Sequence, residues 1–272
     1  MPPPSSSCDG DPKLSTVSTL RGRVAVVTGV SRRVGIGFAV AGRLLSEGAA
    51  VALHSWAPHD REQPWGADPA GEESLVEELR SSGGPVVHVE ADFADPAAPE
   101  LVMASTESQL GHVDILVCNH ARSSHLSLEE LTATELDLTF QVNTRATLLL
   151  IKELARRHDG RAGGRVLMMT SGQHLSAMPE ELPYVASKGA IHQLTASLAA
   201  HLAPRGITVN TINPGATDTG YADDELKQEV LALEPQGRWG MPDDAARLIA
   251  WLCSDDARWI TGQVINSTGG GP

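Results

Sequence analysis

Seven short, largely apolar runs alternate with longer amphipathic stretches from Arg23 onward, and this alternation constrains the fold more than any other feature. The runs are Val24-Ala25-Val26-Val27, Ala50-Val51-Ala52-Leu53, Val86-Val87-His88-Val89, Ile115-Leu116-Val117, Val166-Leu167-Met168-Met169, Ile207-Thr208-Val209-Asn210 and Gln263-Val264-Ile265. A strand with one wet face alternates apolar and polar residues, whereas these runs are largely apolar on both faces. They read as strands of a parallel sheet covered on each side. Parallel neighbours need crossover connections, and the segments 35–48, 72–82, 97–110, 128–158, 183–202 and 242–253 carry a helical pattern that supplies them. The expected fold class is α/β, a doubly wound parallel sheet of seven strands whose ligands bind beyond the carboxyl ends of the strands.

A chain of 272 residues forms such a sheet as a single domain, placed here at 21–272. Residues 1–20, rich in Pro and Ser and without an apolar core segment, read as a disordered tail and not as a secretory signal. The segment Trp56 to Gly71, punctuated by Pro58, Pro64, Gly66 and Pro69, reads as a surface loop. A net charge of -13 without a basic stripe argues against nucleic acid as a partner, and no run is long enough for a membrane span. Three scattered cysteines fit a reducing cytoplasm. Ten histidines without metal-ligand spacing predict no catalytic metal.

The first strand runs into Thr28-Gly29-Val30-Ser31-Arg32-Arg33-Val34-Gly35-Ile36-Gly37 and then a helical stretch. Strand, glycine turn and helix in that order suit a dinucleotide: the glycines admit its pyrophosphate to the backbone, and the helix offers free N–H groups. A tight turn without a ligand is the plainer alternative. The end of the second strand, His54-Ser55, offers no carboxylate for a ribose 2′-hydroxyl, while Arg32 and Arg33 suit a 2′-phosphate. NADP(H) is therefore favoured over NAD(H), unless both arginines are simply solvated.

The chain has only two tyrosines and four lysines, yet Tyr184 stands four residues before Lys188. That spacing puts both side chains on one helical face, where an ammonium favours the phenolate and tunes the phenol for acid–base work on an alcohol or carbonyl oxygen. Ser171 ends the fifth strand, at the edge where ligands bind, and Asn143 is a polar residue in an otherwise apolar helical stretch. Taken singly, each has a plain reading: a surface Tyr/Lys pair, a strand-end hydroxyl, a locally bonded core amide.

Together with Asp114-Ile115-Leu116-Val117-Cys118-Asn119-His120-Ala121 and Asn213-Pro214-Gly215, these residues resemble the short-chain dehydrogenase/reductase family. Within it the chain looks most like the β-ketoacyl-acyl carrier protein reductase-like members. The resemblance spans roughly residues 20–270 and implies a Rossmann-type single domain that reduces a small-molecule carbonyl to an alcohol. By position it makes Tyr184 the proton donor and has Ser171 orient the substrate oxygen. Lys188 would lower the tyrosine pKa and hold the ribose, and Asn143 would hold a water. The cofactor contacts expected are Gly29, Ser31, Arg32, Arg33, Gly35, Ile36, His54 and Ser55 from the turn and the strand end and, by the resemblance, Asp92, Phe93, Asn119, Pro214, Gly215, Thr217 and Thr219, besides Tyr184 and Lys188. The resemblance also implies a homotetramer.

Two departures stand out. Five residues separate Gly29 from Gly35 where most members have three, so the phosphate-facing backbone must bulge. His120 replaces a small residue. A longer turn also occurs in enoyl reductases, whose tyrosine–lysine spacing is wider than four. Tyr221 to Gly240 should cover the substrate. Arg156, Arg157, Arg161 and Arg205 offer a landing site for an acidic acyl carrier protein, or else form an ordinary solvated face. His120 and His125 line the pocket or are plain loop histidines. An NAD-linked alcohol dehydrogenase and a non-catalytic dinucleotide sensor are the alternative functions.

Overall fold

A computed structural model of the chain describes residues 20–271. Its β-branched runs form strands β1 (Val24–Thr28), β2 (Ala50–Ser55), β3 (Val86–Glu90), β4 (Ile115–Cys118), β5 (Gly164–Met169), β6 (Ile207–Asn213) and β7 (Val264–Asn266). All pair in parallel in the order β3-β2-β1-β4-β5-β6-β7. The order reverses between β1 and β4, which opens the crevice where doubly wound sheets bind ligands.

Successive strand residues feed opposite cores. Ala25, Val27, Ile115 and Val117 pack under α1 (Ile36–Ser46), α3 (Gly71–Ser81) and α9 (Pro242–Cys253). Val24, Val26, Leu116 and Cys118 pack under α4 (Ala98–Leu110), α6 (Ala146–Arg157) and α7 (Leu182–Leu202). Burial on both faces is the physical reason that these strands show no alternation in sequence.

Four boundaries differ from expectation. The stretch 128–158 is not one helix: Thr132 caps α5 (Ala133–Phe140) by accepting from the Glu135 N–H, and a π-helical turn, Gln141–Arg145, separates it from α6. The segment expected as a loop after β2 contains a short helix, α2 (Ala57–Glu62), whose Pro58 lies in the first turn where no N–H is needed. A further helix, α8 (Asp224–Leu233), lies within the expected substrate cover and is capped by Asp223. Leu20, assigned to the tail, is 2% exposed and donates its N–H to the Glu47 carbonyl, so it belongs to the domain. The rest of that tail lies outside the described residues. No helix among the described residues is long and apolar enough to cross a membrane.

Leu116 is fully buried at the centre of the sheet, so Leu116→Ala should destabilise the domain by about 2–5 kcal/mol in denaturant titrations.

Candidate active site

Helix α7 carries Tyr184 into the crevice at the carboxyl end of β5 and buries Lys188 behind it. Its Pro183 sits in the first turn, and Lys188 is buried with its ammonium donating to the Met169 carbonyl at 3.0 Å. The Nζ atom lies 5.6 Å from the centre of the Tyr184 ring. Burial disfavours the charged amine and pulls its pKa down to about 8. Burial also pushes the Tyr184 phenol above its ordinary value; the neighbouring Glu181 charge adds to this, and a hydrogen bond from Ser171 opposes it. The sequence leads one to expect Lys188 to favour the phenolate. In the structure burial and Glu181 set the direction instead, and both raise the phenol.

Ser171 follows β5 and opens a short 3₁₀ turn, Gly172–His174. Thr170, beside it, ties strand to helix by donating its hydroxyl to the Lys188 carbonyl at 3.0 Å. Asn143 lies in the π-helical turn and is fully buried. Its carboxamide accepts from the Arg122 N–H at 2.6 Å and donates to the Arg122 carbonyl at 3.0 Å and the Ser187 hydroxyl at 2.9 Å. The Asn143 main-chain carbonyl accepts from the Thr147 hydroxyl at 2.7 Å. The residue that the resemblance assigns to a water is thus a joint between the loop after β4, the π turn and α7.

At the glycine turn, Gly29 has φ +73°, and a Cβ there would lie 2.8 Å from the His120 backbone. A Cβ on Gly37 would lie 2.3 Å from the Gly29 carbonyl oxygen. Both positions need glycine, and no side chain caps Gly35 at the start of α1, so its N–H groups remain available. Asn119 holds the turn by donating to the Thr28 and Gly29 carbonyls at 3.0 and 3.1 Å. A cavity of about 540 Å³ opens above, lined by Gly29, Ser31, Arg32, Gly35, Ile36, His54, Asp92, Phe93, Asn119, Tyr184 and Thr219. A second of about 430 Å³ shares Arg32, Ile36, Tyr184 and Thr219 and adds Ser171, Pro214, Gly215 and Thr217. The two form one cleft across the strand ends, whose cradle fits the dinucleotide expected from the sequence.

Four of the residues named from sequence do not line this cleft: Arg33, Ser55, Asn143 and Lys188. Ser55 is buried with its hydroxyl 2.7 Å from His88 Nε2. Arg33 is committed elsewhere: its guanidinium pairs with Asp68, with Glu78 at 2.6 Å and with Ser74 at 2.8 Å. Of the two arginines considered for a 2′-phosphate, only Arg32 faces the cleft, with its guanidinium 5.9 Å from the centre of the Trp65 ring.

His54 stacks on Phe93 at 3.9 Å and donates to the Ala91 carbonyl, and its burial lowers its pKa to about 4, so it stays neutral. His120 donates from Nε2 to the Val142 carbonyl at 3.0 Å, which leaves Nδ1 to accept from the Thr28 hydroxyl at 2.7 Å. It braces the glycine turn against the π turn. His125 lines the second cavity.

Sequence reasoning missed the wall supplied by the segment after β2. Trp56, His59, Asp60 and Glu62 line the first cavity, and His59, Asp60 and Trp65 line the second. Asp68 clamps this segment to the glycine turn by accepting from the Arg33 N–H at 2.9 Å. Trp65 meets Tyr221 edge-on at 6.5 Å, and Tyr221 meets Trp239 at 6.1 Å. The proline-rich composition hid the role of this segment; the signal was its unusual length. Arg156, Arg157, Arg161 and Arg205 are engaged by Glu153, Glu107, Asp159 and the Ala155 carbonyl. Among the described residues no group of His, Cys, Asp and Glu is placed to hold a metal.

Lys188 gives a pH signature. A buried amine with a lowered pKa costs stability fully below pH 8, where both states are charged, and the cost fades as pH rises toward 10.5. Lys188→Met should therefore unfold at the same or a higher temperature than wild type at pH 7. The difference between the two should shift in favour of wild type from pH 8 to 10.5, read by thermal scans at each pH.

Comparison with known proteins adds the family. Residues 29–271 match a family model described as enoyl-(acyl carrier protein) reductase. An uncharacterised oxidoreductase of Bacillus subtilis is 40% identical over 250 residues, covering 91% of this chain and 96% of the relative. A promiscuous reductase that catalyses keto-reduction at C1 during lugdunomycin biosynthesis superposes with a TM-score of 0.81 at 35% identity, covering 93% of this chain and 98% of its own. A blue fluorescent protein from a metagenomic library, solved in complex with NADPH, gives a TM-score of 0.81 at 32% identity, over 93% of this chain and 98% of its own. With its seven-stranded parallel sheet and cleft at the strand ends, the chain belongs to the short-chain dehydrogenase/reductase family.

Proposed function

We propose that this oxidoreductase reduces a small-molecule ketone to a secondary alcohol with NADPH, using Tyr184 as the proton donor. The observation that carries this reading is the Tyr184 phenol lining the cleft together with Ser171, with the buried Lys188 ammonium 5.6 Å behind its ring centre. The dinucleotide, when bound, supplies the hydride. Tyr184 then delivers the proton to the oxygen on which charge develops, and the Ser171 hydroxyl donates a hydrogen bond to that oxygen. The nearby ammonium stabilises the phenolate left behind. The cradle that would hold the dinucleotide is Gly29, Ser31, Gly35 and Ile36, with Asn119, Asp92 and Phe93 along one wall and Pro214, Gly215, Thr217 and Thr219 along the other.

The matching family model is described by an enoyl reductase, but the one-turn spacing of Tyr184 and Lys188 beside Ser171 suits carbonyl chemistry better. A 3-oxoacyl thioester is a substrate of the right reactivity, although the four paired arginines offer no free basic surface for a carrier protein. Arg32 supports NADPH. A specific observation favours a second reading, an NAD-linked enzyme: Asp60 and Glu62 also line the cavity, and a carboxylate suits a ribose 2′-hydroxyl. Buried, unpaired thiols at Cys118 and Cys253 support a reducing cytoplasm. A homotetramer would cover apolar residues such as Phe140 on α5 and Trp259 beyond α9, 48% and 95% exposed in the single chain.

Tyr184→Phe should lower turnover at least a thousandfold while dinucleotide affinity, titrated by fluorescence, changes no more than a few fold. Retention of most activity would sink the mechanism. Binding without turnover on any ketone would leave a dinucleotide sensor. Arg32→Ala should weaken NADPH at least tenfold and NADH little, and equal weakening of both would remove the basis for NADPH.

A further inference from the structure

The second cavity contains a carboxylate with no hydrogen-bond or ion-pair partner among the described residues. Glu181 stands at the N-terminal boundary of α7, three residues and so about one turn before Tyr184, and it is half-buried. It lines the cavity with Tyr184, Ser171, His125, Met178 and Tyr221. Its carboxylate makes no hydrogen bond or ion pair among the described residues. Burial raises its pKa, the neighbouring His125 acts the other way, and both cavity phenols, Tyr184 and Tyr221, are raised in part by its charge. The cavity's guanidinium, Arg32, has its own carboxylate neighbours in Asp60 and Asp68.

A carboxylate left unpaired in a partly dry site favours a ligand that brings a donor and disfavours one that brings a second negative charge. Its position one turn from the phenol puts that preference next to the reacting carbonyl. We infer that Glu181 sets specificity, accepting a hydrogen bond from a hydroxyl group carried near the ketone and rejecting ketones that carry a carboxylate there. The substrate class is then a neutral hydroxyketone. This inference rests on the carbonyl-reductase reading, and its test separates the two.

The measurement is kcat/KM for acetophenone, 3′-hydroxyacetophenone and 3-acetylbenzoate, with NADPH and with NADH, in wild type, Glu181→Gln and Glu181→Lys. Thermal scans establish that each variant is folded. Wild type should prefer the hydroxyketone to the keto acid at least a hundredfold. Glu181→Gln should shrink that ratio at least tenfold, mainly through KM, and Glu181→Lys should shift it further toward the acid. An unchanged ratio in folded variants overturns the inference. If wild type reduces none of the three, the carbonyl-reductase reading fails by itself, and the same compounds are ranked by thermal shift with the dinucleotide present. A hydroxyl-over-carboxylate order that is lost in Glu181→Gln still supports the role of Glu181. An order that persists in the variant, or no order in wild type, overturns it.

Discussion

The Asn143 carboxamide is the joint on which the site depends. It satisfies both backbone groups of Arg122 and reaches the Ser187 hydroxyl, so a single side chain fixes the loop after β4, the π turn and the helix that carries Tyr184 and Lys188. The π turn makes this possible, since an extra residue in the turn changes which side chains face inward and leaves carbonyls outside the regular ladder. One of these, on Val142, is taken by His120, whose other nitrogen meets Thr28 at the end of β1. The glycine turn and the phenol are thereby linked through buried, fully bonded polar groups. Such networks hold a geometry firmly, because each broken bond strands a partner away from water.

The same network shows why much of the fold was legible and part of the site was not. Strands inside a covered parallel sheet read as largely apolar runs, and the seven strands lie at the runs from Val24–Val27 through Gln263–Ile265. The placement of Tyr184 and Lys188 on one helix and of Ser171 at a strand end was legible because local rules fix it, whereas the π turn that holds Asn143 was not. Arg33 was not, because its fate depends on Asp68, 35 residues away, and a sequence does not show which guanidinium meets which carboxylate. The helix after β2 was hidden by proline, which permits a first turn as readily as it marks a loop. Glu181 was also missed: its significance is the lack of a partner, and that is a property of the cavity alone.

Charge is divided within the cleft by the same logic. The adjacent arginines of the glycine turn have opposite tasks, Arg33 clasping the segment after β2 and Arg32 facing the cavity beside Trp65. The first pairing holds in place the wall that the second helps to line. The extra length of the glycine turn, a departure from the usual spacing, supplies the backbone N–H that Asp68 accepts. The longer turn and the longer β2–α3 connection are thus two halves of one feature.

The same reasoning explains why a lysine-poor, arginine-rich chain keeps lysine beside the phenol. Arg165 shows what burying a guanidinium requires: it draws on the Gly164 and Ser254 carbonyls and approaches Asp255, yet its Nε remains without a hydrogen-bond partner. A guanidinium has five donors in a rigid plane, whereas an ammonium is a compact charge on a flexible stem. Lys188 needs only the Met169 carbonyl to lie buried behind Tyr184, and burial lowers its pKa to about 8. An arginine there would bring more donors than β5 and α7 present acceptors, and it would stay charged at every accessible pH. The position demands a cation that tolerates burial with one acceptor, and among the basic side chains lysine meets that demand.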